Sequence, residues 1–540
     1  MESLSQTLSS TGSAGPVARD MIRRAERFYS DKTAVVCGNE RWTYRQFGIR
    51  VRKVAGALTS LGVNKGDRVA LLMLNCHRYL ELFAACFELG AIIVPLNIRL
   101  AAPELIYTIN DAEARLLVLD ENSFPLLASL RPSLPSVSTY VAAASSEESR
   151  QDFPAGVLDY EQLLRETEEL REFPVVCEED VAAFFYTSGT TGHPKGVMLT
   201  NRNICANALQ GFTHRVPPHD TVHLHASPMF HIAGGPTAWI VFWVGGTHVA
   251  QPRFDPRSTF ALIERERVTR VLWVPTMITA LLAHPDVSRV DFSSLRLVLY
   301  GASPIAPDRL KEARRVFGCE LMQLYGMTEA APVLTSLAPE EHVFEGDEQS
   351  THRLLSCGRA VLGVNVRVVN ERGEDVVPGE VGEIIARGAN FMVGYWRKPE
   401  ETAAALRDGW YYSGDMGTLD EEGYLYLKDR KKDMIISGGE NVYSVEVENA
   451  LSSHPAVLEC AVVGVPDEHW GEAVKAIVVL RPGMQASAEA LISHCHTRIA
   501  GYKCPRGVEF VDALPKNAAG KLLKRELRDA YWRGYDRRIN

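Results

Sequence analysis

Ten cysteines are spread over 540 residues without one Cys-x-x-Cys pair, which removes the usual signature of zinc fingers and dithiol redox sites. Chains of this size seldom carry structural disulfides in the cytosol, so all ten read as free thiols. The one cluster that hints at a metal, His494-Cys495-His496, has no second ligand group at finger-like spacing and reads as ordinary helix. Long apolar runs are missing as well. The most apolar stretches, Leu82 to Leu96 and Val271 to Leu282, fall short of the ~20 residues that span a bilayer. Glu88 interrupts the first, and both read as buried core. The opening stretch from Met1 to Asp20 has no basic segment followed by an apolar one, and Arg538-Ile539-Asn540 matches no retention or peroxisomal address. The cytoplasm is therefore the expected location. Positive charge is not in excess either: 58 Lys and Arg stand against 67 Asp and Glu, a formal charge of −9. Such a surface repels a phosphate backbone, so nucleic acid is not an expected partner. There is no internal repeat and no low-complexity tract.

What is present is an ordinary globular composition, 46% hydrophobic and 23% charged, in a chain too long for one core. At least two domains are expected. Short apolar runs alternate with helical patterns: Arg68 to Met73, a helix through Tyr79 to Leu89, then Ala91 to Leu96. Similar strand-like runs follow at Arg115 to Asp120, Val271 to Pro275 and Leu295 to Tyr300. That alternation predicts parallel sheets with helices on their faces, an α/β fold. Leu134 to Glu172 shows little periodicity and reads as a surface excursion. From Gly363 to Tyr426 glycine-rich turns punctuate a strand-rich stretch, which predicts a β subdomain. The charged run Asp429-Arg430-Lys431-Lys432-Asp433 marks the expected junction. It divides a large N-terminal domain, 1–429, from a small α+β domain, 430–540.

The chemistry starts at Tyr186-Thr-Ser-Gly-Thr-Thr-Gly-His-Pro-Lys-Gly-Val197, directly after the apolar run Val181 to Phe185. Gly189, Gly192 and Gly196 let the backbone turn tightly and bring N–H groups to an anion. Thr187, Ser188, Thr190, Thr191 and Lys195 add donors, so the segment reads as a phosphate-binding loop. It is not the Walker pattern, because Pro194 precedes Lys195 and Gly196 follows it.

This loop resembles the signature of the adenylate-forming superfamily of acyl-CoA synthetases, peptide-synthetase adenylation domains and luciferases. The resemblance recurs in order at Pro228-Met-Phe-His231, Val274-Pro-Thr-Met277, Gly301-Ala-Ser-Pro304, Tyr325-Gly-Met-Thr-Glu329, Tyr412-Ser-Gly-Asp415, Asp429-Arg430, Ser437-Gly-Gly-Glu-Asn441 and Pro515-Lys-Asn-Ala-Ala-Gly-Lys521. It covers nearly the whole chain, most closely resembling acid:CoA ligases for fatty or aryl acids, and implies that the β subdomain is a distorted barrel and that the small domain is mobile about a hinge at Lys432.

The resemblance implies roles that the spacing alone does not. Tyr325 stacks on adenine beside the Gly301-Ala302-Ser303 backbone, with Gly326, Met327 and Thr328 completing the nucleotide wall. Glu329 and Thr190 hold Mg²⁺ against the phosphates, a hard cation that takes oxygen ligands. Asp415 accepts both ribose hydroxyls, since a carboxylate has two acceptor oxygens, and Arg430 adds a donor. Lys521 bridges the substrate carboxylate and the α-phosphate, lowering the cost of bringing two anions together. His231 lies near the substrate carboxylate, with Ala233, Gly234 and Gly235 in the acyl pocket. The absence of an aromatic gate in that stretch suggests an open or longer channel, with Trp239 as a partial substitute. Met229, Met277 and Leu324 are further candidate lining. Gly438 and Gly439 admit a narrow pantetheine arm after the small domain has rotated.

The activity so implied is Mg²⁺-dependent ligation of an acid to CoA through an acyl-adenylate, with AMP and pyrophosphate released. The acid is a medium- or long-chain fatty acid or a bulky apolar one. The expected partners are ATP, CoA and the acid, with a homodimer as the expected assembly. Two alternatives stand beside it: an acyl-AMP ligase that loads a carrier protein, and a nucleotide-binding regulator whose catalysis has decayed. A luciferase-like oxidation is a remote third.

Overall fold

The computed structural model describes residues 15–144, 153–187, 193–214, 216–235, 239–303, 305–430, 433–438, 440–467, 469–516 and 522–533. Its short apolar runs become strands because they are buried on both faces. Arg68–Leu72, Ile92–Pro95 and Leu116–Leu119 lie in parallel register, with Val69 opposite both Ile93 and Leu116. Every residue of the last two is buried. That is why such strands read as continuous apolar runs instead of alternating ones. The helix His77–Leu89 beside them is buried along its whole length and ends on Gly90 at φ 63°, a left-handed cap that costs glycine nothing. It carries two buried acids, each matched. Glu81 accepts from Arg50 Nε at 2.6 Å and from Tyr160 Oη at 2.8 Å, and Glu88 pairs with Arg23.

These strands belong to an eight-stranded sheet in the order Gly394–Tyr395, Lys195–Thr200, Val181–Thr187, Ile92–Pro95, Arg68–Leu72, Leu116–Leu119, Thr139–Ala142, Leu158–Asp159. A nine-stranded sheet stands beside it. Its six central strands are parallel, running Glu320–Gly326, Leu297–Gly301, Arg270–Trp273, Val222–His225, Thr247–Ala250, Thr33–Cys37. A curled antiparallel sheet of five strands follows between Val364 and Arg430, as the turn-rich stretch predicted. A last five-stranded sheet, with strands from Ile435–Ser437 to Gly507–Phe510, builds the smaller C-terminal domain. Together these give the α/β class with a large N-terminal and a small C-terminal domain.

One stretch differs from its sequence reading. Within 134–172, Thr139–Ala142 is a strand paired in parallel with Leu116–Leu119, and Tyr160 and Leu164 of the helix Tyr160–Glu166 are buried. Four strand residues and two helical turns are too short to show a period, so the segment read as loop. The cysteines are all free, and His494, Cys495 and His496 close the helix Ala488–His496 with Cys495 buried. No helix among the described residues is long and apolar enough to cross a membrane.

Candidate active site

The parallel strands Leu297–Gly301 and Glu320–Gly326 end side by side, with Gly301 opposite Leu324. Ligands of such sheets gather beyond the carboxyl ends of the strands, and the candidate residues converge there. Gly301 fits because a Cβ at this position would stand 2.1 Å from the Leu324 carbonyl oxygen. Ala302 follows at φ 69°, a left-handed backbone uncommon outside glycine. Gly326 is equally forced, since its Cβ would lie 1.9 Å from Pro332 O. Met327 N–H donates to that same oxygen, and Thr328 opens the short turn Thr328–Ala330 that presents Glu329.

Tyr325 is 8% exposed and donates from Oη to Asp415 Oδ2 at 2.8 Å. Burial first, and the Asp415 carboxylate second, push the phenol far above its ordinary range, so it serves as a donor at any working pH. Asp415 arrives from the curled sheet, where it lies opposite Arg430 across two antiparallel strands. Arg430 Nε stands 3.3 Å from Asp415 Oδ1. Burial opposes the arginine's charge, but Asp415 and Asp433 outweigh it and hold its pKa above the ordinary value.

Burial also pushes the Glu329 carboxyl up from the ordinary range, and a hydrogen bond from Tyr395 Oη to its Oε1 at 2.8 Å works the other way. The Tyr395 ring receives Lys195 Nζ at 5.3 Å from its centre, inside the range of a cation–π contact. Tyr395 sits opposite Val197 on the strand that Lys195 starts, and Lys195 lies opposite Thr187 at the base of the phosphate-loop hairpin. A single tyrosine thus ties the lysine of that loop to Glu329. Ser188, Gly189, Thr190, Thr191, Gly192, Lys432, Gly439 and Lys521 lie outside the described residues.

The Pro228–His231 loop is pinned from the neighbouring sheet. Asn75, 4% exposed, donates to Ser227 O at 2.9 Å and accepts from Met229 N–H at 2.7 Å. Ala233 N–H donates to His231 Nδ1 at 3.3 Å, and Gly234 N–H to His231 O at 2.9 Å. The small residues here answer to this turn. A Cβ on Gly234 would lie 2.1 Å from Pro228 O, and one on Gly235 3.0 Å from Met229 O. Ala233 packs against a cluster of Leu272, Leu299 and Met322. Trp239 is no gate: it is 3% exposed and set edge-on to Phe83 and Phe87, with ring centres 5.8 and 5.5 Å away. Of the expected lining residues, Leu324 faces a cavity shared with Leu299, Met322 and Ile240. Met229 is core, and Met277 packs on a separate cluster.

Gly438 makes its contacts inside the C-terminal sheet. It stands at φ 62° between Ile435–Ser437 and Glu440–Val442, donates to Trp470 O at 2.8 Å, and would bring a Cβ within 2.6 Å of the indole. The structure therefore gathers Tyr325, Asp415, Arg430, Glu329 and Lys195, and adds Tyr395 and Asn75, which sequence reasoning missed. Tyr395 had a weak signal in Gly394-Tyr395-Trp396, a glycine before two aromatics. Asn75 had none beyond being a polar residue after an apolar strand.

Comparison with known proteins gives the family. The model of the AMP-binding enzyme family matches residues 22–396, and that of the AMP-binding enzyme C-terminal domain matches 446–521. A feruloyl-CoA synthase from an Amycolatopsis species is 42% identical over 508 residues, covering 94% of this chain and 97% of the relative. A fatty acid–[acyl-carrier-protein] ligase from Streptomyces coeruleorubidus is 37% identical, with 94% and 95% covered. The crystal structure of the anthranilate CoA ligase AuaEII in complex with anthranoyl-AMP superposes with a TM-score of 0.87 at 29% identity, covering 96% of this chain and 97% of that one. The chain belongs to the AMP-binding enzyme family, within the adenylate-forming superfamily.

Proposed function

We propose that this protein is an AMP-forming acid:CoA ligase acting on a bulky apolar carboxylic acid. The observation that carries the reading is the joint placement of Tyr325, Asp415, Arg430 and Glu329 beyond the ends of the parallel strands. In the first half-reaction a carboxylate oxygen of the acid attacks the α-phosphorus of ATP and the bond to pyrophosphate breaks. In the second, the CoA sulfur attacks the acyl carbon, the C–O bond to AMP breaks, and the thiol proton is released. Tyr325 offers its ring to adenine, and Asp415 its remaining lone pairs to the ribose hydroxyls. Lys195 and Lys521 supply cations to the phosphates and to the joining anions.

The donor set fits Mg²⁺. Glu329 is a carboxylate held inward by Tyr395. Among the described residues no three His, Cys, Asp or Glu side chains could hold a metal by themselves, as suits a cation carried in largely by phosphates. Glu329 and Thr190 would hold it, and it would supply neutralisation of phosphate charge. The domains we propose are 1–429 and 430–540, turning about Lys432, so that Lys521 serves adenylation and Gly438 with Gly439 serves the thiol.

A second acceptor has a specific observation in its favour, the identity to a ligase that loads acyl-carrier protein. One experiment separates the readings. A panel of fatty and aryl acids is assayed for pyrophosphate release and for acyl-CoA by mass, with Lys521→Ala as the control. Acyl-CoA that depends on Lys521 supports the ligase. Pyrophosphate without acyl-CoA points to a carrier-protein acceptor, and silence on every acid returns the decayed regulator.

A further inference from the structure

From Ala389 to Trp396 the chain forms a strap between the phosphate-loop hairpin and the turn that presents Glu329. Asn203, in the helix Asn201–Gln210 that follows the hairpin, donates to Ala389 O at 2.9 Å and to Phe391 O at 2.7 Å. Asn390 is fully buried and donates the other way, to Ala330 O at 2.6 Å and Val333 O at 3.0 Å. Met392 N–H donates to Glu329 O at 2.8 Å, and Trp396 N–H to Gly196 O at 2.8 Å. Between these two anchors, Tyr395 N–H donates to Thr402 Oγ1 at 2.9 Å. One segment thus fixes the backbone of Glu329 and that of the strand that Lys195 starts.

Tyr395 carries that link to the side chains. It lies opposite Val197 across the antiparallel pair, which makes Lys195 its diagonal neighbour on the same face, within reach of long side chains. The ring takes the ammonium 5.3 Å from its centre, and the hydroxyl donates to Glu329 Oε1 at 2.8 Å. Burial first, and Glu329 second, push the phenol above its ordinary range, so the hydroxyl keeps its proton and stays a donor. Both partners carry a charge and the tyrosine carries none. Among the described residues neither Lys195 nor Glu329 stands in an ion pair. A neutral group places a charge and leaves it available, whereas an ion pair between the two would neutralise both.

We propose that Tyr395 is a positioning residue that holds Glu329 for the metal and Lys195 for the phosphates, and keeps the two from closing on each other as an ion pair. This rests on the ligase reading above and deepens it. The two tasks fall to different atoms: the hydroxyl fixes the carboxylate, and the ring face fixes the ammonium. Tyr395→Phe therefore removes the first and keeps the second, whereas Tyr395→Leu removes both. With the ring gone, the flexible four-carbon stem of the lysine swings to the acid, and the nucleotide loses the use of both charges.

Two binding measurements read these tasks apart without turnover: Mn²⁺ held by the enzyme–ATP complex, followed by electron paramagnetic resonance, and ATP bound in EDTA, followed by calorimetry. Tyr395→Phe is expected to weaken Mn²⁺ by about 10-fold, the loss of one hydrogen bond to a charged group, and to leave metal-free ATP affinity where it was. In acid-dependent pyrophosphate exchange the same variant loses rate at low free Mg²⁺ and regains it as Mg²⁺ is raised. Tyr395→Leu is expected to lower metal-free ATP affinity as well, by about 3-fold or more. Adding Glu329→Gln to Tyr395→Leu then raises that affinity by more than Glu329→Gln does in the wild type, because no acid remains to capture the lysine. Unchanged Mn²⁺ affinity in Tyr395→Phe overturns the proposal, as does a metal-free ATP affinity that is the same in Tyr395→Phe and Tyr395→Leu. Equal effects of Glu329→Gln in the two backgrounds overturn the separation of the charges. Should Tyr395→Leu fail to fold, the Tyr395→Phe measurements decide. A wild type that binds no ATP overturns the ligase reading instead.

Discussion

Asp415 offers the most direct test of the nucleotide site, because its four acceptor positions can be accounted for one by one. A carboxylate has two oxygens with about four lone-pair sites. Oδ2 takes the Tyr325 hydroxyl at 2.8 Å, and Oδ1 faces Arg430 Nε at 3.3 Å. Two sites remain, the number that the two ribose hydroxyls of ATP require. A hydrogen bond to a charged group contributes about 1.5–3 kcal/mol, so each hydroxyl carries roughly 10- to 150-fold in affinity. The perturbation is Asp415→Ala combined with removal of the hydroxyls from the nucleotide. In the wild type, 2′-deoxy-ATP and 3′-deoxy-ATP should each raise KM in the acid-dependent pyrophosphate exchange assay by that factor. In Asp415→Ala the KM for ATP itself rises by the product of the two, while the deoxy nucleotides lose nothing further. The interaction term of this cycle isolates the contact from general damage around Arg430. A deoxy penalty of the same size in wild type and variant refutes the assignment of Asp415 to the ribose.

Gly301→Ala puts a methyl 2.1 Å from a backbone carbonyl, which cannot move as a side chain can. Nucleotide affinity should fall by more than about 10²-fold, or the protein should fail to accumulate; near-normal pyrophosphate exchange contradicts the packing. Gly438→Ala meets the Trp470 indole at 2.6 Å with φ at 62°, and is expected to lower thioester formation more than adenylation. Equal losses in the two half-reactions remove Gly438 from the thiol path. Acid sensitivity follows from buried histidines. Burial holds His225 and His342 at about 4 and keeps His223 and His248 well below the ordinary value. Below pH 6.5 the unfolded chain binds protons that the native state refuses. Stability is therefore complete above that pH and falls toward pH 4, by about 1.4 kcal/mol per pH unit for each such histidine. Denaturant unfolding between pH 4 and 8 should show this slope, and a flat profile contradicts the burial.

How far the sequence carried depends on whether a residue's role is local. The phosphate loop was legible because glycines and hydroxyls stand together in a short span, and Tyr325, Glu329 and Asp415 were legible through the resemblance; Gly414 stands at φ 69° inside the strand Trp410–Leu419, where the pairing with Gly382–Gly388 shifts register. Tyr395 was not legible. It lies 66 residues from Glu329 and about 200 from Lys195 along the chain, and only the pairing of Gly394–Tyr395 with Lys195–Thr200 brings the three together. The small residues Ala233 to Gly235 were ambiguous for the converse reason. Glycine permits both an open channel and a close backbone approach, and only the 2.1 Å separation from Pro228 O distinguishes them. Arg270 and Glu320 are the same problem at the scale of a sheet. Each opens an apolar strand, where a charged residue ordinarily marks the exit to solvent. Only the parallel register sets them on one rung with Leu297, at a cavity that Leu324 also lines. The neighbours of such a residue are set by the register between strands, a property that no single segment of the chain contains.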